Sequence, residues 1–204
     1  GATSIDDTEP AKSSITIRQL LSHSSGLSYG FFDPDTAIYK ALNERGVHDP
    51  RTTLADMVDV LAGLPLIYHP GTSWEYSLPT DVVARLVEVS SGQSFDNFIQ
   101  ARVLGPLGMV DTGFVVPEKD QGRLVAYYAG ADLMEPMKPG LTRTDNSPFP
   151  RAYLQPIARL SGGGGLVSTL PDMVALIRSL LPGGKTLLKP ETIAQMMTNQ
   201  LPDG

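Results

Sequence analysis

Hydrophobic residues recur in short amphipathic bursts separated by glycine and proline breaks, a spacing that predicts helices more often than strands. Thr16 with Gln19 three residues later forms a capping-box pattern, opening a short helix that carries Ile17, Leu20 and Leu21, with Gly26 just beyond its end. Between Ser24 and Pro50, aromatic residues and turn formers lack a clear period, which predicts a loop with at most one helix around 35–45. Thr53 and Asp56 begin the next helix, with Leu54, Met57, Val58 and Leu61 on one face and Gly63 and Pro65 at its end. Another runs from about 80 to 91, placing Val82, Val83, Leu86 and Val89 inward, and Gly92 closes it. Ser94 caps a further one that buries Phe95, Phe98, Ile99 and Val103 before a loop over 105–109.

Strand signals are few. Short strands are predicted at 112–116 and 123–129, and 131–160 reads as proline-rich and irregular. Thr169-Leu170-Pro171-Asp172 opens a strong helix through Leu181, with proline tolerated in its first turn, and a last short helix follows Pro190. Loops this long in a compact domain usually line a site or lean on other parts of the protein.

The chain has 204 residues, the upper end of one domain or one domain plus an insertion. Its 41% hydrophobic and 19% charged residues are ordinary for a globular protein. No apolar run approaches the roughly 18 residues that cross a bilayer. A net charge of −6 and a pI near 5.0 argue against nucleic acid or an anionic membrane as the main partner. With no cysteine there is no disulfide, thiolate nucleophile or zinc-thiolate site, and no metal or cofactor is called for. The compartment stays open between cytoplasm and periplasm. Gly1-Ala2-Thr3-Ser4 reads as the start of a trimmed piece.

Several motifs carry candidate chemistry. Gly26-Leu27-Ser28-Tyr29-Gly30 matches G-x-S-x-G, but that motif works only on a strand-to-helix turn, and here an amphipathic helix precedes it. The plain reading is a loop. Asp111-Thr112-Gly113 matches the aspartic protease triplet, yet it lies in a helix-rich chain without a second carboxylate lobe. His23, His48 and His69 are too scattered to suggest a metal pair, and capping or surface roles suit all three. His23 in particular follows a helix C-terminus, where a cation is favoured. The run from Gly162 to Gly165 lacks the strand and the Gly-Lys-Ser/Thr of a phosphate loop, so it predicts close backbone packing or a pocket lining. Tyr76, in Trp74-Glu75-Tyr76-Ser77-Leu78, follows a Pro70-Gly71 turn and precedes a helix N-terminus. By itself such a tyrosine is usually a half-buried packing residue.

Four collinear stretches, ITIRQLLSHSSGLSYG (15–30), LPLIYHPGTSWEYSLPTDVVARLVEVSSGQSFDNFI (64–99), VLGPLGMVDTGF (103–114) and SGGGGLVSTLPDMVALIRSLL (161–181), resemble the β-lactamase-related serine hydrolases. That group includes class C β-lactamases, DD-peptidases and family VIII carboxylesterases. LLKPETIAQMMTNQLP (187–202) looks like the family segment that follows. The likeness implies an α+β, β-lactamase/transpeptidase-like fold, of which this chain is mostly the helical region with a few strands and long loops. It implies that 1–204 is the central part of one catalytic domain, the helical region at roughly 15–115 and the return toward the α/β region at roughly 116–204.

The family's chemistry uses an S-x-x-K motif, a Y-x-N motif and a K-T-G, H-x-G or W-G-G element. No serine in this chain has a lysine three residues on, and His69-Pro70-Gly71 precedes the tyrosine, in the wrong order for the third element. The likeness thus implies a piece without its nucleophile or closing strands, inactive by itself and prone to self-association. Tyr76 stands in the tyrosine position of the second motif. A free phenol is only about 0.1% ionised at neutral pH. A neighbouring lysine ammonium and a helix N-terminus both favour the phenolate, which then takes a serine proton.

Leu78 stands where asparagine would donate to an amide carbonyl, and leucine cannot hydrogen-bond. Members with Y-S-L resemble esterases, so the implied parent is a serine carboxylesterase acting on small-molecule esters. The rivals are a β-lactamase or D-amino-acid peptidase, and an inactive binding module on the same scaffold. Tyr29, Gly30, Leu78 and Gly164 match positions near the family's cleft and are the implied pocket residues.

Overall fold

The computed structural model describes residues 3–29, 35–132, 135, 137–144 and 152–201. Helix α1 (Ile17–Leu21) starts where the capping box places it: the Thr16 hydroxyl accepts the Gln19 amide, and the Gln19 side chain accepts the Thr16 amide. Helix α2 (Ala37–Glu44) occupies the 35–45 stretch. Helix α3 (Leu54–Ala62) opens on a second capping box, Thr53 with Asp56, and ends at Gly63. Helix α4 (Pro79–Ser91) has proline in its first turn and ends on left-handed Gly92, φ +68°.

Helix α5 (Phe95–Ile99) runs on through a π turn (Gln100–Leu104) into α6 (Gly105–Leu107). The loop expected over 105–109 is therefore largely helix: Gly105 and Pro106 continue the rotation, and left-handed Gly108 ends it. Helices α7 (Leu170–Ser179) and α8 (Pro190–Met196) follow, α7 stopping two residues short of the expected Leu181. Among the described residues the one ladder pairs β1 (Tyr127–Ala129) antiparallel with β2 (Thr142–Thr144). Its second strand falls in the stretch read as irregular. The 112–116 strand reduces to a single bridge between Gly113 and Val167. No described helix is long and apolar enough to cross a membrane.

The core gathers Tyr39 and Leu42 of α2, Val47 of the turn that follows, Leu54, Met57 and Leu61 of α3, Leu78 at the start of α4 and Ala84 within it. At about 1.5–3 kcal/mol for each fully buried large aliphatic side chain, this cluster fixes the N-terminal end of α4. Arg159, itself buried, ties the 47–52 turn to the segment before the glycine run. Its guanidinium donates to the carbonyls of Val47 (2.7 Å), Asp49 (2.9 Å) and Thr52 (3.2 Å).

Two expected faces turn differently. In α4 the buried stripe is Pro79, Asp81 and Ala84, while Val82, Val83 and Leu86 are half-buried and Val89 is exposed. Buried Asp81 displaces the valines because its carboxylate receives hydrogen bonds from the glycine run. In α5 and the π turn, Phe95, Phe98, Ile99 and Val103 are half-buried, and Leu104 is the buried residue. The π turn adds a residue to the rotation and brings position 104 inward.

Candidate active site

The backbone around Tyr76 is held by the loop that follows α1. Residues 66–77 lie alongside 23–28: the Ile67 amide donates to Gly26 O (2.9 Å), Gly71 to Ser24 O (2.7 Å) and Glu75 to His23 O (2.9 Å). Gly26 sits at φ +87°, and a Cβ there would lie 2.4 Å from Tyr68 O, so this close approach requires glycine. The first glycine of the G-x-S-x-G match is thereby a packing residue. Its serine, Ser28, is buried, and its hydroxyl faces the Glu75 carboxylate, which also accepts from the Tyr39 hydroxyl at 3.0 Å. That hydroxyl is partnered by a carboxylate and closed off from a substrate.

Ser77 is fixed too. Its hydroxyl donates to Leu27 O (2.7 Å) and its amide to His23 Nδ1 (3.2 Å). Leu78 is buried in the core beneath, N-capping α4. In a segment so anchored, Tyr76 alone between Glu75 and Pro79 turns its side chain outward, with 47% of its surface exposed. It stands just before the first turn of α4, where unpaired amides create partial positive charge.

Two rings flank the phenol. The His23 ring lies 4.7 Å away, centroid to centroid, tilted by 34°, and the Tyr29 ring lies 5.8 Å away at 49°. Burial, with smaller contributions from the neighbouring Tyr76 and Asp81 side chains and from the hydrogen bond with Tyr76, pushes the Tyr29 hydroxyl up to about 12. Tyr29 is therefore a neutral donor across the physiological range. His23 departs from its expected role as a cationic cap. Burial lowers its proton affinity, and a ring nitrogen that accepts an amide proton carries none of its own. Its backbone, at φ +56°, is left-handed, which turns the ring back over residue 76.

The glycine run meets the same end of α4. A Cβ on Gly162 would lie 2.6 Å from Thr80 O, and one on Gly165 would lie 2.7 Å from the Phe114 ring, whereas one on Gly164 would meet nothing. Asp81 receives the Ser161 hydroxyl (2.6 Å) and the Gly163 amide (3.3 Å), and Tyr153 donates to Gly164 O (3.3 Å). The arrangement thus gathers Tyr29 and Tyr76 and docks the loop carrying open Gly164 on the first turn of the same helix. Leu78 packs below them in the core. Gly30 lies outside the described residues.

The remaining motifs are structural. Asp111 pairs with Arg123 at 2.6 Å, and its amide and the Thr112 hydroxyl both donate to Asp172 (2.9 and 2.7 Å). His69 pairs with Glu9 at 2.8 Å, and the His48 ring lies 6.0 Å from that of Tyr29. The neighbours that sequence reasoning missed are His23 and Glu75. Gly26 carried the signal, since a glycine after a helix also marks where a second strand of chain can lie close.

Comparison with known proteins bears on the family and the fold. A family model described as Beta-lactamase matches residues 5–203. Lovastatin esterase from Penicillium rubens is 33% identical over 202 residues, covering 95% of this chain and 46% of the relative. Esterase EstB from Burkholderia gladioli is 31% identical over 201 residues, covering 93% and 49%. The chain thus spans about half the length of the curated relatives it matches. Among solved structures, EstCE1, described as a hydrolase with promiscuous acyltransferase activity, superposes with a TM-score of 0.74 at 27% identity, covering 97% of this chain and 53% of that one. The LovD6 mutant of simvastatin synthase from Aspergillus terreus gives 0.71 at 26%, covering 93% and 42%. The chain belongs to the β-lactamase-related serine hydrolase family and has its β-lactamase/transpeptidase-like fold.

Proposed function

We propose that the protein carrying this chain hydrolyses small carboxylic esters through a serine acyl-enzyme, with Tyr76 as the group that accepts and returns the proton. The observation that carries this reading is the presentation of Tyr76: an exposed phenol on a backbone pinned from both sides, at the N-terminus of α4. The serine and lysine of S-x-x-K and the third motif lie outside this chain, which is the central part of a single catalytic domain. By itself the chain is inactive and self-associates through the apolar face of α7, where Met173, Val174 and Ile177 are exposed.

In the whole protein the lysine ammonium and the α4 N-terminus favour negative charge on the Tyr76 oxygen. That oxygen takes the serine proton as the serine oxygen bonds to the ester carbonyl carbon. It returns the proton to the departing alcohol as the C–O bond breaks. Water then repeats the cycle on the acyl-enzyme, releasing the acid and restoring the serine. Pocket residues are Tyr29, Gly30 and Gly164, with Leu78 shaping the floor from below. Leu78 offers no amide donor, and two of the relatives bear esterase names, so an ester is favoured over a β-lactam.

The test uses the full-length protein with p-nitrophenyl butyrate and with nitrocefin. Ester kcat/KM exceeding that for nitrocefin is the expected result. Faster nitrocefin cleavage would assign a β-lactamase instead, and turnover of neither substrate would favour a binding module.

A further inference from the structure

We propose that His23 is a positioning residue for Tyr76, its unprotonated Nδ1 holding the Ser77 amide while its ring braces the phenol. This rests on the reading of Tyr76 as the proton acceptor. Three linked features converge on one residue. The backbone of His23 takes the left-handed conformation at φ +56°, uncommon for residues other than glycine, with histidine among the few side chains, alongside asparagine and aspartate, that adopt it more often. That geometry swings the ring against Tyr76, with centroids 4.7 Å apart. The same ring accepts the amide of the next residue, Ser77, at 3.2 Å, and the His23 carbonyl accepts the amide of the residue before, Glu75, at 2.9 Å. Both peptide neighbours of Tyr76 are therefore referenced to one histidine.

The consequence is directional. A tyrosine side chain has two soft torsions, so an exposed phenol oxygen wanders unless its backbone and ring face are both held. Held on the backbone by Nδ1 and on one face by the imidazole, the Tyr76 oxygen is confined to an arc on the Tyr29 side. A proton acceptor must lie within about 2.6–3.2 Å of the proton it takes, so this confinement acts on the chemical step more than on substrate binding. The tautomer follows: Nδ1 bare, the proton on Nε2. A protonated imidazolium has no acceptor for the Ser77 amide and would release it.

Two substitutions in the full-length protein separate this role from simple support of the loop. His23→Gly keeps the left-handed backbone without strain but removes both acceptor and ring. His23→Asn also tolerates that backbone, and its Oδ1 replaces Nδ1 as acceptor. With p-nitrophenyl butyrate, H23G should lose about 10–100-fold in kcat, the scale of a misplaced catalytic group, with KM within about twofold. H23N should recover at least half of that loss on a logarithmic scale. Y76F run in parallel separates the two readings. If Y76F loses turnover while H23G stays within about twofold of wild type in kcat, the positioning role is overturned and the Tyr76 assignment stands. H23G that raises KM alone, or H23N no better than H23G, overturns it equally. If Y76F retains turnover, both readings fall together. Should H23G not fold, the nitrogen shifts of the His23 ring in wild-type protein decide: a bare Nδ1 supports the proposal, and a protonated Nδ1 contradicts it.

Discussion

Tyr29 and Tyr76 stand ring against ring, centroids 5.8 Å apart and tilted by 49°, with their hydroxyls within hydrogen-bonding reach. The pair is asymmetric. Tyr29 is half-buried and pushed up to about 12, first by desolvation, so it stays protonated, while Tyr76 is the exposed member. Two phenols of the same chemistry thereby sit in different surroundings, one half-buried and held protonated, the other open to solvent.

Tyr29→Phe should therefore remove a hydrogen bond to the Tyr76 oxygen while leaving the ring contact in place. Losing one donor to an oxygen that develops charge costs on the order of 1.4 kcal/mol or more, about tenfold in kcat, with KM little altered. Steady-state kinetics on p-nitrophenyl butyrate with the full-length protein checks this. Unchanged kcat would mean that Tyr29 only packs.

The glycine run makes two positions a residue apart, 162 and 164, behave oppositely. Gly162→Ala drives a methyl group to 2.6 Å from Thr80 O and 2.9 Å from the Ala84 Cβ, so the loop or the first turn of α4 must shift. A loss of about 1–3 kcal/mol is expected from such overpacking, read as a fall in the denaturant midpoint. Gly164→Ala meets open space, and its stability should stay within about 0.5 kcal/mol of wild type. A changed KM in G164A at unchanged stability would place position 164 on the substrate path. Equal stabilities for the two variants would contradict the docking of the loop on α4.

Stability should also depend on pH through His23. Burial lowers its proton affinity in the folded chain below the ordinary value of 6.5. As pH falls through 6.5 the unfolded chain therefore binds more protons than the folded one, and stability declines; above 6.5 this penalty is absent. Asp49, held at about 2 chiefly by hydrogen bonds from Arg51, keeps its charge throughout that window and adds no slope. Around the His23 ring stand Trp74 and Tyr76, and the Tyr68 hydroxyl donates to its carbonyl. The thermal midpoint of the wild type should fall more between pH 7 and pH 5 than that of His23→Asn. Parallel curves would show that His23 titrates alike in both states.

How far the residues alone announced this structure depends on the kind of signal. Helix starts were legible where a side chain closes on its own backbone: both capping boxes, Thr16 with Gln19 and Thr53 with Asp56, form as read. Ends marked by Gly63 and Gly92 were legible for the same local reason. Position 105 was not, because a Gly-Pro pair reads as a break, yet proline fits a helix whose preceding turn is already widened to π geometry. The face of α4 was misread because Asp81 is buried by partners 80 residues away, Ser161 and Gly163, which no local period reports. The place of Tyr76 just before a helix start was legible from the Pro70-Gly71 turn and the helical period after it. The contact of His23 with residues 76 and 77 was not, since it depends on a left-handed backbone and on a loop contact spanning 54 residues to Ser77.

The most direct test of the account is the single-turnover acylation rate of Tyr76→Phe in the full-length protein, followed as the burst of p-nitrophenol from p-nitrophenyl butyrate. Phenylalanine keeps the ring between His23 and Tyr29 and removes only the oxygen. A fall of about 10²–10⁴-fold in the burst rate, with the fold intact, is what loss of a proton acceptor predicts. A burst rate within about twofold of wild type would show that another group takes the serine proton.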